Sequence, residues 1–287
     1  MSTSRRFRWV RLVCLVPLAT LGAACSRSTT TTAAVRVEED QVRREIRDLM
    51  TALTPPSPTA LPVEKSTWHL TRKKTLERLR TMGPEYGLEA LRVYREEPPH
   101  LAEVQAGLLD IAAHTAPEET TPILVQLVTV FGADLHVRTR ATEFLGECAP
   151  EKALEVLEPI LSRRVDGRTY PPEERLLDAW VTAAEKLKYD PVPFLSNIAT
   201  DLQRTQDVRH LATRSLGRFD SPQSRQALQA LMVESSGNSY IRRLATQSLK
   251  ELLPKEEFCT LVSTIQEREA DPKFIDFLES VLNSSCR

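Results

Sequence analysis

The sequence predicts an all-α protein, an α-solenoid built from stacked helical hairpins. The first observation is self-similarity, since one apolar pattern recurs at steps of 33 residues in two parts of the chain. The second is composition: the 287 residues include 9 Gly but 19 Pro, which suits helices separated by proline-marked turns more than a sheet-rich fold. The third is the spacing of the apolar residues at i, i+4 and i+8, which places them along one face of a helix.

Charge, hydrophobicity and cysteine content exclude several classes of protein. There are 38 Lys and Arg against 39 Asp and Glu, and 41% of the residues are hydrophobic. Such a chain is too hydrophobic for wholesale disorder, and its 5 cysteines are too few for a scaffold held by disulfides alone. A dedicated nucleic-acid binder would carry a basic excess, so we expect no nucleic-acid partner.

The first 24 residues have the features of a secretory signal. Four arginines, at positions 5, 6, 8 and 11, precede an apolar run from Leu12 to Leu21. The run is too short to cross a bilayer core of ~30 Å, and Pro17 argues against a buried N-terminal helix. A basic start, a short apolar stretch and small residues before a cleavage site are typical of an exported protein.

The segment Leu21-Gly22-Ala23-Ala24-Cys25 resembles the lipobox of bacterial lipoproteins. The resemblance implies that residues 1–24 are a lipoprotein signal peptide and that Cys25 carries the lipid that anchors the chain to a membrane. Lipoboxes prefer Leu three residues before the Cys, whereas Leu21 stands four before it, so an ordinary signal-peptidase cleavage remains the alternative. Because Ser26 follows, the same resemblance favours the outer membrane over the inner, on the periplasmic side.

Three segments are predicted between Cys25 and the body of the protein. Residues 25–34 are rich in Ser and Thr, and we interpret them as a tether. Residues 35–53 form an amphipathic helix, because apolar residues recur there at helical spacing. Prolines at 55, 56 and 58 end that helix and make residues 54–62 a linker. The repeat domain then covers residues 63–287.

The repeats are clearest in the second helix of each predicted hairpin. Val137-Arg138-x-x-Ala141-x-x-x-Leu145-Gly146 matches Val208-Arg209-x-x-Ala212-x-x-x-Leu216-Gly217 at every named position. Further copies begin at Thr71, Val104, Ile241 and Phe274. The 71 residues between positions 137 and 208 leave room for one more unit, which we place at Ala179-Trp180-x-x-Ala183-x-x-x-Leu187. One hairpin cannot bury its apolar face alone, so the hairpins are expected to stack.

These copies resemble HEAT and HEAT-like repeats, whose second helix opens with Asp, then Val-Arg, then Ala and Leu-Gly. Asp134 precedes Val137-Arg138, and Asp271-Pro272 precedes the last copy. The resemblance covers about residues 64–284 and implies that the repeated arginines and aspartates bridge neighbouring turns as a structural ladder. Tetratricopeptide units have a similar length, but their Trp-x-x-Leu-Gly-x-x-Tyr signature is absent from the sequence.

The central gap contains a surplus of residues that falls within positions 162–174. Insertions in repeat proteins map to loops on one face, often the binding face, and Arg and Tyr are common at the centres of interfaces. One interpretation is therefore a partner-contact loop; the other is a solvated connection between helices. The candidate contact residues are Arg163, Arg164, Arg168 and Tyr170.

The sequence offers no recognised catalytic, cofactor or metal motif. There is no His-Glu-x-x-His, no Cys-x-x-Cys, no Gly-x-Ser-x-Gly and no phosphate-binding Gly-Lys-Ser/Thr. We therefore expect a lipid-anchored, non-catalytic scaffold that binds another protein of the bacterial cell envelope, with no cofactor and no small-molecule substrate. The alternative is a HEAT-like enzyme or enzyme-maturation factor of a lyase-like kind.

The cysteines of the repeat domain are interpreted separately. Cys148, at the end of a second helix, reads as a small buried hydrophobe. Cys259 and Cys286 lie near ends of the last two helices that an antiparallel hairpin would bring together, and export would permit a disulfide between them. Two free thiols are the alternative.

Overall fold

A computed structural model of the chain describes residues 28–96, 101–163, 170–234 and 239–286. Within these ranges the protein is all-α and has no β-strand. The helices are α1 Ser28–Leu53, α2 Pro62–Leu79, α3 Pro84–Glu96, α4 Ala102–Thr115, α5 Pro117–Thr129, α6 Leu135–Cys148, α7 Pro150–Ser162, α8 Glu173–Leu187, α9 Val192–Thr200, α10 Gln206–Leu216, α11 Pro222–Val233, α12 Ser239–Leu252, α13 Lys255–Gln266 and α14 Pro272–Ser285. In the part of the chain that the structure describes, none of the helices combines the length and the apolarity that crossing a bilayer requires.

The chain divides into two compact units, residues 1–41 and residues 42–287. The described part of the first unit is the beginning of α1. In the second unit, the remainder of α1 places Ile46, Leu49 and Leu53 in a fully buried cluster with residues of α2, α3 and α4. The C-terminal part of α1 is therefore a structural part of the repeat body.

From α3 onward the helices pair into six hairpins, α3/α4 to α13/α14. The second helices of the hairpins also pack on one another in order, and we call α4, α6, α8, α10, α12 and α14 the second-helix row. Val137, Ala141 and Leu145 of α6 are fully buried in this packing. The fold is an α-solenoid of HEAT-like hairpins, which confirms the predicted fold class.

Turn residues fix where the helices begin. The side chain of Asp134 accepts a hydrogen bond from the backbone N–H of His136 at the start of α6, and Asp271 does the same for α14. Prolines occupy the first turn of several first helices, where the missing N–H would have no helical partner. The aspartates of the HEAT-like pattern thus act as helix caps.

The central repeat lies three residues earlier than its predicted position. Leu176, Trp180 and Ala184 of α8 are fully buried, as Val137, Ala141 and Leu145 are in α6. The prediction at Ala179 assumed a small residue in the middle of the pattern. Trp180 fills that position instead and packs against Phe194, with ring centroids 4.4 Å apart.

The predicted tether, residues 25–34, differs from the structure because α1 already begins at Ser28. Thr and Ser are weak helix formers, but extending an existing helix by one residue costs much less than starting a new one. The helix ends at Leu53, directly before Thr54 and the proline-rich segment.

Candidate active site

The residues that the sequence singled out do not come together in one site. Cys25, Arg164 and Arg168 lie outside the described residues. Arg163 is exposed at the end of α7, and Tyr170 is half-buried against the hydrophobic core.

A disulfide joins Cys259 of α13 to Cys286, the residue after α14, with Cα atoms 5.8 Å apart. The last hairpin is thus closed covalently.

The repeated arginines hold the hairpins together from the inside. Arg138, Arg209 and Arg242 are buried, and the Nε of each donates to a carbonyl oxygen near the end of the preceding first helix. The acceptors are Leu127, Ala199 and Met232. These bonds cap helix C-termini within a hairpin. Arg242 also pairs with Glu269 of the following hairpin, so one bridge of the expected kind between repeats is present, with Glu in place of Asp.

The α7/α8 hairpin obtains the same cap from its neighbour. Leu177 occupies the position of the repeated arginine in α8 and is fully buried. Arg204, in the loop before α10, instead donates to the carbonyl oxygen of Leu161 near the end of α7 and pairs with Glu173 at the start of α8. The guanidinium is therefore supplied by the following repeat.

The strongest constellation of functional groups lies where α2, α4 and α6 meet. Asp110 of α4 is 1% exposed and accepts two hydrogen bonds of 2.7 Å from Arg80, directly after α2. Its Oδ1 is also 3.1 Å from Nδ1 of His114, one turn further along α4. The same Nδ1 lies 2.8 Å from the backbone oxygen of Asp110. The carboxylate thereby fixes the orientation of the imidazole.

The other edge of the His114 ring faces the end of α6. Its Nε2 is 3.7 Å from Oε2 of Glu147. Cys148, the next residue and the last of α6, is near enough to the ring to raise the pKa of His114. Cys148 is a free thiol and is half-buried. Asp110, His114 and Cys148 therefore form a carboxylate–imidazole–thiol series across two helices.

The electrostatics of this series favour a protonated imidazole. Hydrogen bonds with Asp110 and then Cys148 raise the pKa of His114 to about 10, although burial alone would lower it. Burial would raise the pKa of Asp110, but hydrogen bonds from His114 and Arg80 outweigh it and lower that pKa. At neutral pH the His114 ring is therefore protonated and lies beside the Asp110 carboxylate.

Beside this series a groove of about 340 Å³ runs between α2 and α6 over α4. Asp110 lines the groove from α4, and Leu76 contributes an apolar surface from α2. Most of the other lining side chains are cations or histidines: His69, Arg72, Lys73, Arg80, His136 and Arg140. Together the series and the groove form a candidate site with an adjoining polar channel.

Sequence reasoning missed this site. Cys148 was interpreted as a small buried hydrophobe; it packs against the hydrophobic core but is only half-buried and lies near His114. The available signal was the i, i+4 spacing of Asp110 and His114, which places them on one helix face. Among the described residues, no cluster of three or more His, Cys, Asp or Glu side chains could hold a metal ion.

No protein-family model and no curated protein matches this sequence. Among solved structures, the chain is similar to human deoxyhypusine hydroxylase in complex with glycerol. The two are 15% identical, the alignment covers 86% of this chain and 98% of that one, and the TM-score is 0.35.

This similarity contradicts the prediction of a lipid-anchored, non-catalytic scaffold and the prediction that the protein is not an enzyme, because the matched protein is an enzyme. We withdraw both predictions of function; the predicted location of the chain is a separate point. At such a TM-score the similarity assigns no activity to this chain, so any activity must be argued from its own residues. What the chain's own structure establishes is an all-α solenoid of stacked helical hairpins.

Proposed function

We propose that the protein is a HEAT-like enzyme that uses Cys148 as a thiol nucleophile in acyl transfer or acyl hydrolysis. The observation that carries this proposal is the position of His114 between buried Asp110 and Cys148. In cysteine-dependent enzymes a thiolate attacks, a histidine transfers the proton and a third group orients the histidine. The three residues here fit those roles.

The reaction would proceed in two steps. The reactive form would be the ion pair in which Cys148 has lost its proton and His114 carries one. The Cys148 thiolate attacks the acyl carbon, the bond to the leaving group breaks, and the His114 imidazolium gives its Nε2 proton to that group. Water then attacks the thioester while neutral His114 accepts a proton. The carbon–sulfur bond breaks, and the thiolate and the imidazolium are restored.

Several groups would support this chemistry. The thiolate is the nucleophilic form of cysteine, and His114 would hold the proton that Cys148 releases. Asp110 would hold His114 in place through Nδ1, and Arg80 would keep that carboxylate ionised through its two hydrogen bonds. Arg80 and Asp110 are thus positioning residues, whereas Cys148 and His114 are the proposed catalytic residues.

A burst experiment tests this proposal. Mixing the protein with p-nitrophenyl acetate should release a burst of p-nitrophenolate, and mass spectrometry should find the acetyl group on Cys148. Cys148→Ala should abolish the burst, and His114→Gln should slow it at least tenfold. His210→Gln is the matched control, because His210 lies in α10, away from this site. Equal acylation of Cys148 in the wild type and in His114→Gln would refute the proposal.

The proposed location is the bacterial envelope, with Cys25 lipidated and the repeat domain on the periplasmic side of the outer membrane. Support comes from the basic start, the short apolar run and the small residues before Cys25. In this setting the acyl group would belong to another envelope protein, which would be both partner and substrate.

Cell fractionation tests the location. Cys25→Ser should leave the repeat domain folded and move the protein from the membrane pellet to the soluble periplasmic fraction. A variant that still pellets with membranes would overturn the lipid anchor.

A further inference from the structure

The groove between α2 and α6 has walls that carry positive charge along their length. Arg72 and Lys73 lie on α2, Arg80 follows directly after α2, and Arg140 faces them from α6. The acidic groups in the lining are Glu77 and Asp110. Counted as formal charges, the lining holds four cationic side chains, Arg72, Lys73, Arg80 and Arg140, against these two carboxylates.

Each of these cations is held by a carboxylate of the protein. Arg72 lies 2.9 Å from Glu103, and Arg140 pairs with Glu143. On the other wall, Nζ of Lys73 is 3.8 Å from Glu77. These pairs fix the direction of the charged groups and lower the ordering cost of binding an anion.

We propose that this groove is the subsite for an acidic stretch of a polypeptide substrate, in which Glu or Asp carboxylates contact Arg72, Lys73 and Arg140. The inference rests on the proposed function, because it treats the bound polypeptide as the substrate of the enzyme. It assigns the substrate a chemical preference that the carboxylate–imidazole–thiol series alone does not define.

The distribution of charge favours spaced carboxylates over a single phosphate. A phosphate site gathers several donors around one point, whereas the cations here are spread along two helices and are partly neutralised. Guanidinium groups bind planar carboxylates through paired hydrogen bonds. The side chain of Arg72 is 24% exposed and that of Lys73 is 72% exposed, so both can contact a bound chain.

The groove also connects physically to the reactive series. The carboxyl group of Asp110 lines the groove and hydrogen-bonds His114, and Arg80 contacts the same carboxylate from the groove wall. A peptide in the groove would therefore lie next to the group that orients the catalytic histidine.

Fluorescence anisotropy tests the subsite independently of catalysis. The full chain carrying Cys148→Ala is titrated with a labelled peptide of alternating Glu and Gly and with the matched peptide of alternating Gln and Gly. The Glu peptide should bind at least tenfold more tightly, and its affinity should fall as salt is raised. Inorganic phosphate is added as a competitor in a separate arm.

Three variants locate the binding. Arg72→Gln with Arg140→Gln should weaken binding of the Glu peptide at least tenfold, and circular dichroism checks that this protein is folded. Lys73→Gln should weaken binding about threefold and removes only an exposed side chain with a long ion pair. Arg225→Gln is the control, because Arg225 lies in α11 and pairs with Asp220.

The outcomes separate the two proposals. Equal binding of the two peptides, or no effect of the groove variants, would overturn the acidic-peptide subsite. Displacement of the Glu peptide by stoichiometric phosphate would overturn it in favour of a phosphate site. If the Glu peptide binds as expected but Cys148 is unreactive in the burst experiment, the subsite stands and the acyl-transfer proposal fails.

Discussion

A Cβ atom at Gly146 would lie 2.5 Å from the backbone carbonyl oxygen of Ala179. The end of α6 and the middle of α8 thus approach each other at a point where only a hydrogen atom fits. Ala179 sits three residues after Leu176, the true start of the central repeat pattern, so this contact also fixes how the two hairpins stack.

Gly146→Ala should lower the free energy of unfolding by roughly 2 kcal/mol, since the added methyl group forces two backbones apart. The better helix propensity of Ala offsets only about 1 kcal/mol of the clash. Gly217→Ala is the comparison: its Cβ would meet Oγ and Cβ of Ser248 at 2.7 and 2.8 Å but no backbone atom closer than 3.2 Å, so its effect should be smaller. Urea denaturation measures both changes, and an equal effect of the two substitutions would contradict the prediction.

Arg204→Ala should destabilise the repeat domain by about 2–3 kcal/mol. The substitution leaves Glu173 without a buried cationic partner and the end of α7 without its cap. Arg225→Ala, which removes a surface arginine, should change the free energy of unfolding by less than about 1 kcal/mol. The prediction is wrong if denaturant midpoints move equally in the two variants.

Stability should depend on pH through His114. Its pKa is 6.5 in the unfolded chain and about 10 in the folded protein, so the stabilisation is complete below pH 6.5 and is lost as the pH rises through 10. Relative to His114→Gln, the wild type should be more stable by roughly 2 kcal/mol at pH 6. That difference should shrink by more than half at pH 10.5. Chemical denaturation at both pH values measures it, and a difference that stays constant would rule out this titration.

The disulfide should stabilise the last hairpin. Reducing it in a chain that starts after Cys25 should lower the free energy of unfolding by about 3 kcal/mol on the chain-entropy model. Cys148→Ala should leave that decrease unchanged. Alkylation of the unreduced, denatured wild type followed by mass spectrometry should modify Cys148 and neither Cys259 nor Cys286. Three modified thiols before reduction would show that the bond is absent.

The sequence predicts the repeats well where equivalent positions of different repeats hold similar residues and are buried alike. The copies that begin at Val137, Val208 and Ile241 each have an alanine in the middle and an arginine directly after the first residue. The first residue of each of these copies is buried in the structure. The central copy was misplaced because Trp180 and Leu177 replace both features at once.

The candidate site could not be predicted in the same way, because the residues that form it are distant in the sequence. Arg80, Asp110 and Cys148 come from three different parts of the chain and meet only when the helices stack. Their approach depends on helix packing angles and side-chain conformations, which leave no local pattern. Only Asp110 and His114 share a helix, and that spacing alone is common in solvent-exposed helices.

The contact from Arg204 to the α7/α8 hairpin means that the repeats of this protein are not interchangeable modules. Deleting α9 and α10 together with the loop between them would remove a cap that belongs to the preceding hairpin. Duplicating α7 and α8 without that loop would create a hairpin with Leu177 and no guanidinium. A segment that could be transplanted intact must therefore run from the start of α7 to Arg204, and its boundaries differ from those of the visible hairpins.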